Sequence, residues 1–310
     1  MRRVAMLLGA CAFFALSCGS GSSPDRGPAG DGADRSASPG SPAATGAAAF
    51  DQPFAGAKVY PVVVSSELVV GENRFLVALF DHEDAPTGSP ETSVRAEFFD
   101  LDDSAEEPVA EADLDFIWAI EPVRGLYKTD VRFDEPGHYG IAVTVKGPGL
   151  DELVRGSFDV AEEGSSPGIG EKVPASATPT ARSGGSLEEI TTDRHPELRF
   201  YDTSVKEAVG SGEPFVVTFA TPKFCSSSVC GPTLETVKEV AEDFPKLTFI
   251  HVEVYTNLGQ PDNLKVVPSV EEWGLPSEPW VFVVDGRGRV AAKYEGVVSA
   301  DELRDALKAF

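Results

Sequence analysis

Cys225 and Cys230, five positions apart, are the residues of this chain whose type and spacing could do chemistry by themselves. A thiolate attacks a disulfide sulfur, and a second thiol within reach resolves the mixed disulfide that forms. The pair directly follows Phe215-Val216-Val217-Thr218-Phe219, which reads as a buried strand, and a helix is expected over Ser226–Phe244. Along that helix Cys230, Leu234, Val237, Ala241 and Phe244 recur at helical steps on one face, turned toward a sheet. Cys230 is therefore expected to face inward, with Cys225 at or before the first turn. Residues five apart on a helix are separated by roughly 7.5 Å along its axis, beyond disulfide reach. A Cys225–Cys230 bond thus requires Cys225 in the loop ahead of the helix, or an unwound first turn. The positive end of a helix favours a thiolate, and Lys223 is the only charged side chain from Phe215 to Leu234. Burial pushes a thiol the other way.

What must position this pair is set by the rest of the chain. Its 310 residues carry 50 Asp+Glu against 26 Lys+Arg, a net charge of −24. So acidic a chain, with no basic stripe, is unsuited to nucleic acid. The length suggests about two domains. No apolar run beyond the N-terminus reaches the roughly 20 residues that span a bilayer.

Arg2 and Arg3 precede an apolar run from Val4 to Leu16, the pattern of a signal peptide over 1–17. Ala15-Leu16-Ser17-Cys18-Gly19 resembles a bacterial lipobox, which implies cleavage before Cys18 and lipidation of its sulfur. The same residues also suit an ordinary small-residue cleavage site, giving a secreted chain that starts at Cys18. Either route leads outside the cytoplasm, where disulfides persist. Cys11 falls within the leader.

Residues 18–53 are largely Gly, Ser, Pro and Ala, a composition expected to form a flexible tether. A second such stretch over 163–194 is expected to be a linker. Between them, over 54–162, eight short strand-like runs separated by turn signals predict an antiparallel β-sandwich. These runs are 58–64, 68–70, 74–81, 93–101, 115–120, 126–133, 139–146 and 154–160, with turns at Gly71-Glu72-Asn73 and Glu135-Pro136-Gly137 among others. The run Glu135-Pro136-Gly137-His138-Tyr139-Gly140-Ile141 resembles the entry to strand F of immunoglobulin-like domains. Asp100–Glu107 is acidic, but Ala105 and Glu111 fill its sixth and twelfth places, so it fails as an EF-hand and reads as a solvated loop. Beyond the linker, 195–310 reads as strand, helix, strand, hairpin around Gly286-Arg287-Gly288, and a last helix capped by Ser299 with Glu302.

Phe219-Ala220-Thr221-Pro222-Lys223-Phe224-Cys225, then Cys230-Gly231-Pro232, resembles the active-site strand, loop and helix of the thioredoxin-like family. Ser277-Glu278-Pro279-Trp280 is similar to that family's cis-proline segment. The resemblance implies an α/β thioredoxin-like domain with Cys225 as nucleophile and Cys230 as resolving cysteine. It further implies substrate contacts from Pro279, Glu278, Phe224 and Trp280. Four residues separate the cysteines where the family usually has two. Phe224 replaces the usual tryptophan, and Thr218 stands where a buried acid is usual. Peroxiredoxins place a hydroxyl three residues before the nucleophile, where this chain has Pro222. His82, His138, His195 and His251 are scattered, which argues against a copper site. No metal and no organic cofactor are expected.

The sequence thus predicts an all-β immunoglobulin-like sandwich followed by an α/β thioredoxin-like domain. The expected activity is extracytoplasmic thiol–disulfide exchange from a lipid-anchored chain, with protein thiols or disulfides as substrates and a separate recycling partner. Two alternatives stand beside it: a structural staple between the cysteines, and a surface-anchored binding protein whose C-terminal part is a non-catalytic scaffold.

Overall fold

Seven strands form one antiparallel sheet: β1 (Val59–Val63), β2 (Gly71–Asp81), β3 (Ser93–Asp100), β4 (Ala110–Ile120), β5 (Arg124–Phe133), β6 (Gly137–Gly147) and β7 (Leu150–Val160). The structure, a computed structural model, describes residues 46–51, 56–183 and 186–310. The leader, Cys18 and most of the expected tether lie outside the described residues. Strand order is β1-β2-β5-β4-β3-β6-β7. The two end strands, β1 and β7, come alongside each other, so the sheet folds over on itself into a near-closed sandwich.

Alternation explains its interior. Phe75, Val77 and Leu79 on β2, Val94, Ala96 and Phe98 on β3, and Ile141, Val143 and Val145 on β6 point into one apolar core. Phe75 and Phe98 meet edge to face at 5.0 Å, and Phe133 meets Tyr139 at 4.9 Å. The Tyr139 hydroxyl donates to the Glu135 carbonyl at 2.9 Å, fixing the turn into β6. Gly71, expected in a turn, instead opens β2. The acidic 100–107 segment is a loop whose Asp102 carboxylate accepts the His138 N–H at 2.9 Å.

β2, β4 and β5 are apolar on their outer face too. Leu76, Ala78, Ile117, Ala119 and Leu126 are covered there by Val229 and Val297 from the C-terminal half. A sheet buried on both faces loses its clean alternation, and β2 accordingly shows a nearly unbroken buried run. Polar contacts close the same seam. Arg74 pairs with Glu302 at 2.8 Å and Lys293 with Glu67 at 2.8 Å.

The C-terminal half carries a four-stranded sheet in the order β13-β12-β8-β9, from β8 (Phe215–Ala220), β9 (Thr248–Glu253), β12 (Trp280–Val284) and β13 (Val290–Glu295). β8 and β9 are parallel and the other pairings antiparallel. A two-stranded ribbon, β10 (Tyr255–Thr256) with β11 (Lys265–Val266), follows β9. The helices are α1 (Leu187–Ile190), α2 (Val205–Ser211), α3 (Cys230–Asp243), α4 (Pro268–Glu272) and α5 (Ala300–Leu307). Ser299 caps α5 reciprocally with Glu302, as the sequence indicates.

The expected fold class, an immunoglobulin-like sandwich followed by an α/β thioredoxin-like domain, is corrected to a mostly β, sandwich-like architecture. Strand accounts for 38% of the described residues and helix for 19%. The reason is visible in the helices. The expected helix from Ser226 starts only at Cys230, and α1 and α4 span 4 and 5 residues. Residues 163–183, read as linker, are packed: Gly170 donates to the Val290 carbonyl at 2.8 Å, and Val173 joins the core beside Phe215.

Candidate active site

The site forms where β8 ends. All six residues of β8 are buried, which anchors the strand between β9 and β12 and fixes where its C-terminal end emerges. Thr221 follows, itself buried, and its carbonyl accepts the Cys225 N–H at 3.0 Å, closing a tight loop. Ser228 then takes a left-handed φ of 63°, and this turn delays the helix to Cys230. Cys225 therefore sits in the loop ahead of α3, one of the two arrangements the helix geometry allows for a bond between the two sulfurs.

Cys225 is half-buried and Cys230 is fully covered. The Cys230 N–H, at the N-terminus of α3, donates to Cys225 Sγ at 3.4 Å, and Ser227 Oγ lies 3.2 Å from the same sulfur. The thiol of Cys230 supplies the largest stabilisation of negative charge on Cys225, opposed by burial and aided by Ser227 and the helix N–H groups, so Cys225 is brought down to about 5. Cys230 shifts the other way, raised by its hydrogen bond to Cys225 and by burial. One sulfur is thus poised as a thiolate and the other kept as a thiol.

Glu278 approaches the pair on the segment leading into β12. Its carboxylate and both sulfurs lie within 4.8 Å of one another. Burial raises the Glu278 carboxyl, as does the charge of Cys225. The Glu278–Pro279 peptide bond is cis, and the Pro279 carbonyl accepts the Gly296 N–H at 2.8 Å. Pro279 itself is buried. Phe224 is half-buried beside the nucleophile, edge-on to Tyr255 at 6.4 Å, with Lys223 over its ring. Trp280 does not line the site: only 2% exposed, it stacks on Phe282 and donates its indole N–H to Ser277 Oγ at 3.1 Å. Nor can His251 join the cysteines, because its two ring nitrogens engage the Tyr201 hydroxyl at 2.8 Å and the Ala220 carbonyl at 3.1 Å.

Other residues of the site carry no local sequence signal. Arg124, on the sandwich, reaches the Ser227 carbonyl at 2.8 Å and ties the cysteine loop to β5. A groove of about 530 Å³ runs from Ser227 and Glu278 over the outer sandwich face, floored by Leu76, Ala119, Val229 and Val297. Thr218 is buried with an unpartnered hydroxyl, and Glu253, buried on the neighbouring strand β9, stands opposite Ala220. Its carboxylate accepts the Thr192 N–H at 2.8 Å, and burial raises it.

No family model matches this chain, and no curated protein does. Among solved structures it is similar to a β-glucuronidase of Parabacteroides merdae at 19% identity, with a TM-score of 0.24. That match covers 36% of this chain and 15% of the enzyme, so the chain spans only a small part of its length. A protein described as a superoxide reductase of Thermotoga maritima matches at 14% identity over 36% of this chain and 92% of that one, TM-score 0.23. A CARDB domain of Pyrococcus furiosus matches at 15% identity over 34% and 86%, TM-score 0.21. The expected membership in the thioredoxin-like family is corrected on the fold itself: the described residues form a mostly β architecture, dominated by one large near-closed sheet, with few helices. The resemblance rests on the cysteine loop and on the Ser277-Glu278-Pro279-Trp280 segment, and such local motifs do not by themselves specify a fold.

Proposed function

We propose that this chain carries out thiol–disulfide exchange through Cys225 and Cys230. One observation carries the reading: a half-exposed sulfur at the mouth of α3, accepting the Cys230 N–H and flanked by Ser227, with a covered thiol beside it. Cys225 attacks one sulfur of a substrate disulfide as the thiolate. The substrate S–S bond breaks, one substrate thiolate leaves, and a mixed disulfide forms. Cys230 then gives its proton to the departing thiolate and attacks Cys225 Sγ, releasing the second substrate thiol. The substrate is reduced by two electrons and the pair becomes a disulfide; the reverse sequence oxidises a dithiol. A thiol or disulfide partner recycles the pair.

Phe224, Glu278 and the groove beside them form the surface against which a polypeptide substrate would lie. The sandwich is read as immunoglobulin-like, supported by the Tyr139 hydroxyl on the Glu135 carbonyl. Lipidation at Cys18 would place the exchange site outside the cytoplasm at a membrane surface. Insulin reduction followed by turbidity, with Cys225→Ser beside the native chain, tests the activity. Exchange lost in the variant supports the reading. Native and variant chains that are equally inert point to a non-catalytic binding protein. A reduction potential below about −300 mV points to a staple instead.

A further inference from the structure

We propose that the reduced chain binds a zinc-class divalent cation through Cys225 Sγ, Cys230 Sγ and the Glu278 carboxylate. These three donors come from two separate segments, the loop and first turn of α3 and the Glu278–Pro279 segment ahead of β12, yet all lie within 4.8 Å of one another. In a tetrahedral zinc site with Zn–S of about 2.3 Å and Zn–O of about 2.1 Å, neighbouring donors stand about 3.6–3.8 Å apart. The cluster is thus within about 1 Å of that geometry.

Charge explains why a cation belongs there. Two sulfurs and a carboxyl group converge with no basic partner: among the described residues no ion pair and no hydrogen bond reaches Glu278. The nearby cations are occupied elsewhere, Lys223 over the Phe224 ring and Arg124 on the Ser227 carbonyl. Gathering acidic donors without a counter-charge costs energy, and a bound cation removes that cost.

The donor set also selects the metal. Two thiolates exclude the hard cations magnesium and calcium, which take oxygen ligands. A carboxylate beside them suits borderline zinc better than soft copper(I). Three protein donors leave a fourth position, and the half-exposed Cys225 and Glu278 turn it to solvent. Ser227 Oγ and the Cys230 N–H stand behind Cys225 as the outer contacts that orient a metal-binding sulfur. No electron moves: the cation displaces the thiol protons that remain. Zinc binding and disulfide formation use the same sulfurs and exclude each other, so the cation would hold the pair reduced.

The inference uses the sulfurs of the proposed exchange site but not their turnover. Reduced full-length chain is titrated with zinc, and with cadmium to read thiolate-to-metal absorption in the ultraviolet. One equivalent should bind. Glu278→Gln should weaken binding at least about 10-fold, and the oxidised chain should bind none. Zinc should also slow iodoacetamide labelling of Cys225 in the native chain, in step with occupancy, a readout that needs no variant. An absence of saturable binding, undiminished affinity in E278Q, or labelling indifferent to saturating zinc would each overturn the site. A chain that exchanges disulfides without binding zinc loses this inference alone, and one that binds zinc without exchange loses only the proposed activity.

Discussion

The sandwich and the cysteine-bearing half bury different kinds of residue. Inside the sandwich the core is rings and aliphatics, Phe75, Phe98, Phe133 and Tyr139 among them, and charged pairs such as Arg95–Glu111 stay at the exposed rim. The C-terminal half buries His251, Glu253 and Lys238 and leaves the Thr218 hydroxyl without a partner among the described residues. Buried polar groups cost stability unless satisfied. A fold tolerates them where they set the charge and position of a reactive group. Here they cluster around the end of β8, from which the cysteine loop springs.

Substitutions can break or sharpen that contrast. The largest expected effect is on chemistry. Cys225→Ser should lower insulin reduction by about 10³-fold or more, because a hydroxyl cannot replace a thiolate near neutral pH. No sandwich substitution that leaves the chain folded should approach this.

Next comes the buried ion pair between Lys238 and Asp193, 2.6 Å apart, with both side chains under a tenth exposed. Lys238→Met strands Asp193 and should cost about 3–5 kcal/mol in urea unfolding. A loss under about 1 kcal/mol would mean that water reaches the pair.

His251 offers a pH test. Burial brings it down to about 4, so the folded chain holds it neutral while the unfolded chain protonates it near 6.5. Its contribution is complete above 6.5 and is lost as pH falls toward 4. The native chain should lose up to about 1.4 kcal/mol per pH unit over that window relative to His251→Gln. Urea midpoints from pH 7 to 4 measure it, and parallel slopes in the two chains would refute it.

The smallest effect belongs to the rim. Arg95→Ala removes exposed pairs with Glu111 and Asp113 and should change stability by less than about 1 kcal/mol, shrinking further in high salt.

Parts of this were legible in sequence for physical reasons. An unbroken apolar run such as Phe215–Phe219 has few places to go but a central strand, and Ser299 with Glu302 is a local signal that needs no tertiary partner. The linker reading of 163–183 failed because composition does not reveal backbone pairing: Lys172 bridges Arg289, and Ser166 and Thr178 are buried by tertiary contacts. The helix start was misplaced by the serine run 226–228, where one left-handed residue defers it. At the site, the spacing of Cys225 and Cys230 was informative because helix geometry limits the outcomes. The approach of Arg124 and the convergence of Glu278 on both sulfurs depend on how distant segments pack. The family assignment asked more of local motifs, the cysteine loop and the Glu278–Pro279 segment, than they carry, and the β-rich fold corrected it.

Most directly, the pH dependence of iodoacetamide trapping at Cys225, with Cys230 followed by mass, measures whether one sulfur is held as a thiolate. Labelling of Cys225 should be half-maximal near pH 5 while Cys230 stays unreactive through neutrality. An apparent value at or above that of free cysteine, about 8.5, or equal labelling of both sulfurs would contradict the account.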